Sequence, residues 1–486
     1  MKEQCIRVCF FALVALLFFN TCNGAKKSPV KVYPAPKGEV LSLLYRVSVA
    51  GKEVPVYVAK IAPEDAERRW KAMDDKKNSA DYFDTGAFAY FDLLSSTTVK
   101  VTVPVKVNTA KILPSSLGII PVIKGNSISF PAKMPGNLTI EINGEWIRSL
   151  HIFISPPEVN PPKADDPNVI YFGPGIHEIT HLVVGDNKTL YIAGGAIVRA
   201  IIKPDEKFSI SGYSGLRTYS SSIQLQGNNI TVRGRGIIDA SGCTTHSRNM
   251  LMVRGSNISI EGIILRDSPT WTVPIRESDN VTINNIKLIG YRANADGIDI
   301  CNSRNVIVEN CFIRTLDDLI VIKTPKGGKG DVKHIVAKNC VLWNQVAHAL
   351  SIGAEITSDI SDVLFTNCDI IHDQGREWSL RVYHTDASQV SNVRFENIRI
   401  EESIKFISLW INKAVWTSDQ GRGHIKGVTF KNIKASGTPL SVELKGFDEG
   451  HTVEDVIFQD VTLNGKALTI DMMKINDFTK DVTIQP

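Results

Sequence analysis

The sequence predicts an all-β protein, a right-handed parallel β-helix (a solenoid) preceded by a small β-sandwich. Three observations lead there. Asp, Asn, Val and Ile are abundant in the 486 residues, and long stretches of helical period are scarce. A short motif recurs along the second half: a polar or turn-forming residue, then an alternating apolar strand. A run of prolines, Ser155-Pro156-Pro157-Glu158-Val159-Asn160-Pro161-Pro162, separates this repetitive region from a non-repetitive one, because proline cannot continue a central strand or helix.

At the N-terminus, Lys2 and Arg7 flank an apolar run from Val8 to Phe19. That run is short for a membrane span and suits the hydrophobic part of a signal peptide, residues 1–24. Cleavage after Gly24 is the expected ending. Lipidation at Cys22 is the alternative, although Phe19-Asn20-Thr21 is a poor lipobox. No later stretch is long and apolar enough to span a bilayer, so the mature chain is expected to be exported to the periplasm, cell surface or medium, without a transmembrane span and as a monomer.

Residues 25–154 form the first unit. Val47 to Val58 reads as two strands around a turn, and Thr98-Val99-Lys100-Val101-Thr102-Val103 and Leu138-Thr139-Ile140-Glu141-Ile142 alternate strictly. Several short strands at close spacing suggest a β-sandwich. Glu64 to Tyr82 is charged and reads as a solvated surface excursion with a short helix. Residues 155–168 are the proline-rich linker.

Residues 169–486 are the β-helix. The repeat is seen in Asn229-Ile230-Thr231-Val232, Asn257-Ile258-Ser259-Ile260, Asn305-Val306-Ile307-Val308 and Asp455-Val456-Ile457-Phe458. Each coil has an apolar face that only stacking on its neighbours can bury. Of eight cysteines, Cys5, Cys9 and Cys22 leave with the signal peptide. No pair of the remaining five has zinc-binding spacing. Cys311, Cys340 and Cys368 each sit five residues after Val306, Ile335 and Val363, a slot that holds Ile or Val in other coils. They read as small hydrophobes in a core ladder.

Net charge is +4, from 55 basic and 51 acidic residues. That near-balance argues against a nucleic-acid partner. The chemically distinctive residues recur at similar phase, one or two per coil: Trp271, Asp296, Asp317 with Asp318, His348, Arg381 and Trp410. Coils stack at about 4.8 Å, so these side chains should line a groove suited to a linear polysaccharide. Lys323 and Asn294 are further candidates for substrate contact. Hydrolysis of a glycosidic bond needs one protonated and one ionised carboxyl group, and crowded carboxylates raise one another's proton affinity. The plain alternative for Asp317-Asp318 is an acidic turn, which is how Asp299, Asp267 and Asp369 are read.

The segment from about Arg266 to Tyr383 resembles the polygalacturonase family of glycoside hydrolases. Ser268-Pro269-Thr270-Trp271 is similar to that family's Ser-Pro-x-Trp, and Asn294-Ala295-Asp296 to its Asn-Thr-Asp. Asp317-Asp318 resembles its paired aspartates, Ala347-His348-Ala349-Leu350-Ser351-Ile352-Gly353 its Gly-His-Gly-x-Ser-x-Gly, and Arg381-Val382-Tyr383 its Arg-Ile-Lys. The resemblance implies a right-handed β-helix and hydrolysis with inversion. It implies Asp317 as the general acid, Asp296 and Asp318 as the residues that position and deprotonate water, His348 as the group that tunes the acid, and Arg381 as a sugar-binding residue. It implies no metal or other cofactor. Two departures stand out: alanines flank His348, and Tyr383 replaces a lysine that helps bind a uronate carboxylate. The N-terminal half, through His151-Ile152-Phe153 and Tyr171-Phe172-Gly173-Pro174-Gly175, resembles the dextranase and isopullulanase family, which acts on neutral glucans. The first expectation is therefore a galacturonate-containing pectic substrate, and a neutral α-glucan the second. A calcium-dependent polysaccharide lyase and a non-catalytic glycan-binding β-helix follow.

Overall fold

The computed structural model describes residues 28–485, apart from 76 and 439. The expected signal peptide and Cys22 lie outside the described residues. From Val169 onwards the chain winds into one continuous array of 30 strands, paired almost entirely in parallel. This is a parallel β-helix, and parallel crossovers are right-handed.

The array is in register through the stretch that matters. On one face Val273, Ile298, Ile320, Leu350, Leu380 and Ile407 are successive partners in six coils. All six are fully buried. Strand alternation then points every second residue of these strands outwards. One outward row contains Asp299, Val321, Ser351 and Arg381. The other contains Arg276, Cys301 and Lys323, with Tyr383 and Trp410 further along.

The turn residues of the motif have a clear physical task. Asn257, Asn280 and Asn305 take positive φ near 55°, where asparagine is better tolerated than most side chains. Each donates from Nδ2 to the side chain of the coil before it: Asn257 to Asn229 at 3.1 Å, Asn280 to Asn257 at 2.7 Å, Asn305 to Asp279 at 2.7 Å. The corner is thereby fixed and its polar side chain satisfied in one step. Inside, Phe365, Phe395, Phe430 and Phe458 stack at 5.0 Å between centroids. Cys311, Cys340 and Cys368 are free thiols with no exposure, in the inward slot expected of them.

Residues 30–155 build a six-stranded and a five-stranded sheet around a shared core that includes Val47, Val99, Phe91, Phe130 and Ile152. The other side of the six-stranded sheet packs on the β-helix: Phe88 and Phe153 meet Ile264, Ile289, Phe312 and Trp343. A buried ion pair crosses this junction. Arg235 Nε donates to Asp92 Oδ1 at 2.8 Å, and Tyr33 donates to the other oxygen at 2.7 Å. The proline-rich segment is also tied down, since its Glu158 accepts from Tyr191 and its Pro156 carbonyl from Arg235.

The charged excursion differs from its sequence reading. Its helix α1, Ala66–Asp74, is capped by Asp65, which accepts from the Arg68 amide at 2.8 Å. It is not wholly solvated. Ala72 is buried in a cluster with Leu316 and Val346, the residues just before Asp317 and two before His348. At its end Asp74 takes both guanidinium nitrogens of Arg376, at 2.9 and 3.1 Å.

Candidate active site

All ten residues singled out from the sequence line one cavity of about 880 Å³: Trp271, Asn294, Asp296, Asp317, Asp318, Lys323, His348, Arg381, Tyr383 and Trp410. The backbone explains why. The turns that precede the in-register strands stack as the strands do. Thr272 N–H donates to the Asp296 carbonyl, Gly297 N–H to that of Asp318, and Leu319 N–H to that of His348. Asp296, Asp318 and His348 are therefore neighbours on consecutive coils. Glycine is required at 297, since a Cβ there would lie 2.2 Å from the Leu319 carbonyl oxygen.

The carboxylates of Asp296, Asp317 and Asp318 offer oxygens within 4.8 Å of one another. Their environments differ. Asp317 accepts from Asn294 Nδ2 at 3.1 Å and from the Asp318 amide at 3.0 Å. Burial and the adjoining Asp318 carboxylate push its pKa up to about 7. Burial alone would also raise Asp318, but His348 and Lys323 outweigh it and hold that group at about 2. The two adjacent residues thus present one proton-holding and one ionised carboxyl group near neutral pH. Burial and the Asp299 carboxylate raise Asp296 well above the usual range, against the pull of Lys323.

Lys323 is the counter-ion of this cluster. Its Nζ lies 3.0 Å from Asp296, 3.3 Å from Asp299 and 3.4 Å from Asp318. Burial would lower its pKa, but the three carboxylates more than reverse this. Expected from the sequence as a substrate ligand, it lines the cavity and also balances charge within the site. The same ammonium bears on metal binding. The aspartate trio has the spacing of a cation site, yet a fixed positive charge already sits beside it.

Asp299 also departs from its sequence reading. It is not a turn residue but lies in the strand Ile298–Cys301, fully buried beneath Asp296 and facing Lys323. Asp267 does take the expected turn conformation, with φ 64°, and pairs with Arg292.

His348 joins the acidic trio to Arg381. Its Nδ1 lies 2.5 Å from Asp318 and its Nε2 3.0 Å from Arg381 Nη1. Guanidinium can only donate, so Nε2 accepts and Nδ1–H faces Asp318. The direct hydrogen bond of His348 in the trio is thus to Asp318, the neighbour of the expected acid Asp317. The alanines beside it are harmless, because neither Ala347 nor Ala349 has positive φ. The backbone demand falls on Gly353, at φ 103°, where a Cβ would lie 1.9 Å from the Tyr383 carbonyl oxygen.

Arg381 is caged by aromatic rings, its Cζ 4.2 Å from the Tyr383 centroid, 4.9 Å from Trp378 and 5.0 Å from Trp410. Its Nη1 also lies 2.6 Å from Glu377. The guanidinium of this expected sugar-binding residue is thus partly engaged within the protein. The tryptophans likewise hold cations: Arg276 and Lys323 approach the Trp271 ring at 4.9 and 4.6 Å.

Sequence reasoning missed Arg276, Glu377, Arg376 and the Met73–Asp74 end of α1, all of which line the cavity. Arg276 had a usable signal, strand alternation after Trp271. The contact of α1 with the site had none.

Residues 203–483 match the profile of Glycosyl hydrolases family 28. An exopolygalacturonase from Zea mays is 26% identical over 278 residues, covering 51% of this chain and 65% of its own length. The chain thus spans just under two thirds of that relative. Among solved structures, a Family 28 exopolygalacturonase from Yersinia enterocolitica matches with a TM-score of 0.54 and 16% identity, over 94% of this chain and 95% of its own. Dex49A from Penicillium minioluteum matches with a TM-score of 0.66 and 14% identity, over 93% and 96%. At these identities the structures speak for a shared fold.

Proposed function

The chain belongs to glycosyl hydrolases family 28, and from that premise we propose that it is an exported, inverting hydrolase of a galacturonate-containing pectic polymer. The observation that supports this most directly is the split between two adjacent carboxyl groups, Asp317 raised to about 7 and Asp318 held at about 2. In the proposed mechanism Asp317 gives its proton to the glycosidic oxygen as the bond to the leaving sugar breaks. Asp318 takes a proton from water as that water attacks the anomeric carbon. Asp296 helps to position that water, and Lys323 balances the negative charge of the cluster. Direct attack by a carboxylate would instead retain configuration, so the closeness of the trio makes the product anomer a sharp test. The proposed organisation is a signal peptide at 1–24, a β-sandwich at 25–154, a linker at 155–168 and the catalytic β-helix at 169–486, acting as a monomer. The family resemblance supports action on polysaccharide in preference to nucleic acid.

A second reading, a neutral α-glucan, is favoured by two observations. Tyr383 stands where the resemblance leads one to expect a cation, and Glu377 already faces Arg381. The test is release of reducing ends from polygalacturonate, methyl-esterified pectin and dextran, by the parent and by Asp317→Asn. Cleavage of a pectic polymer by the parent alone is expected. Cleavage of dextran alone would overturn the first reading in favour of the second. Full activity of Asp317→Asn would overturn the assignment of the acid.

A further inference from the structure

Four cationic side chains line the cavity: Arg276, Lys323, Arg376 and Arg381. Three of them face carboxylates of the protein. Lys323 is held by Asp296, Asp299 and Asp318, Arg376 by Asp74, and Arg381 by Glu377. Among the described residues Arg276 makes no ion pair. Its guanidinium lies over the Trp271 ring at 4.9 Å, and its side chain is half-buried. A guanidinium on an aromatic face keeps its donor edges free and fixes their direction.

Arg276 is also placed to complement the position where a cation is missing. It stands in the same outward row as Tyr383, on the other side of the aspartate trio. The partners step from Val273–Arg276 through Ile298–Cys301, Ile320–Thr324 and Leu350–Ile356 to Leu380–His384. That is four coil steps, or about 19 Å along the groove at the usual strand spacing. A polymer lying along the groove would cross the trio between the two. We propose that Arg276, held on Trp271, is the carboxylate-reading residue of this site. It binds the carboxylate of a sugar towards the N-terminal coils from the scissile bond, at a remove from the Tyr383 position. The substrate class follows: a chain that carries an acidic sugar at that place, with no requirement for a second charge at Tyr383.

This inference rests on the pectic reading, and the experiment separates the two. Initial rates are measured on tetragalacturonate and on the same oligosaccharide with its carboxyl groups reduced, for the parent, Arg276→Gln and Arg276→Lys. A charged hydrogen bond of ordinary strength corresponds to about a 10- to 100-fold effect. Arg276→Gln should lower the ratio of kcat/KM on the acidic to the reduced substrate by that factor, mainly through KM. Arg276→Lys should restore part of the ratio, since it returns the charge but not the fork. An unchanged ratio in Arg276→Gln with the parent's thermal midpoint, where the parent cleaves tetragalacturonate, would overturn this inference alone. A parent that cleaves dextran and no galacturonate polymer would overturn the pectic reading, and this inference with it. Thermal midpoints of the variants, compared with the parent, show whether a loss comes from misfolding, which would lower both rates and leave the ratio unchanged.

Discussion

Replacing His348 by alanine should move one limb of the pH–activity profile and leave the other in place. The imidazole lies 2.5 Å from Asp318 and, with Lys323, holds that carboxyl group at about 2 against burial. A hydrogen bond to a charged group contributes about 1.5–3 kcal/mol, and one pKa unit is about 1.36 kcal/mol. Loss of the imidazole should therefore raise Asp318 by about 1–2 units, to about 3–4. The sign follows from the proposed mechanism: Asp318 works there as its anion, so activity lost on acidification should be lost earlier in the variant. Asp317 is the proton donor of that mechanism, and its pKa of about 7 owes most to burial and to the Asp318 charge. Above pH 5 that charge is present in both proteins, so the alkaline limb should stay near 7. The assay is kcat/KM from pH 2.5 to 9, taken as the ratio of variant to parent so that titration of an acidic substrate cancels. His348→Gln, which can still donate a hydrogen bond, should recover part of the shift. An acid limb that does not move, or an alkaline limb that moves by more than the acid one, would refute the role given to His348.

Four further outcomes are expected. Proton NMR of the first-formed product should show an inverted anomeric centre, and a retained one would reject attack by water in the first step. Gly353→Ala should lower kcat/KM sharply, because its Cβ would drive the Tyr383 carbonyl and the Arg381 strand away; unchanged kinetics would show that the strand has room to yield. Asp92→Ala strands the buried Arg235 guanidinium and should cost about 3–5 kcal/mol in denaturant unfolding, whereas a loss under 1 kcal/mol would mean water reaches that pair. Glu377→Gln frees the Arg381 fork and should raise kcat/KM on polygalacturonate several-fold relative to its esterified form; no gain would show that Arg381 does not meet the polymer's carboxylates.

The coil repeat was legible because the solenoid spells its register in sequence, a turn residue and then an inward triplet. Phase along that repeat brought Asp296, Asp317, Asp318 and His348 into one group. Asp299 was misread because an aspartate three residues after another looks like turn chemistry, and only the strand alternation of Ile298–Cys301 reveals a buried carboxylate. The ion pairs of Lys323 escaped the sequence reading because its neighbours across two coils are invisible to spacing alone. The engagement of Arg381 by Glu377 depends on the loop between them, which follows no period. The contact of α1 with Leu316 and Val346 joins parts of the chain more than 240 residues apart, and no local pattern encodes it.

The in-register stack through Val273, Ile298, Ile320, Leu350, Leu380 and Ile407 has a consequence for how such an enzyme can change. Each rung contributes its own side chains to the groove, and the distance between rungs is fixed by backbone pairing, whatever those side chains are. A substitution at Arg276 or Trp410 changes the groove lining at one place along its length and leaves the spacing of the aspartates untouched. Turns can also lengthen on one rung without shifting the next. The groove lining can therefore drift rung by rung over evolutionary time, or be rewritten by design, while the aspartate trio stays where it is. The reverse does not hold: a one-residue slip within the Ile320–Thr324 rung would turn Lys323 inwards and dismantle the acid–base arrangement at once.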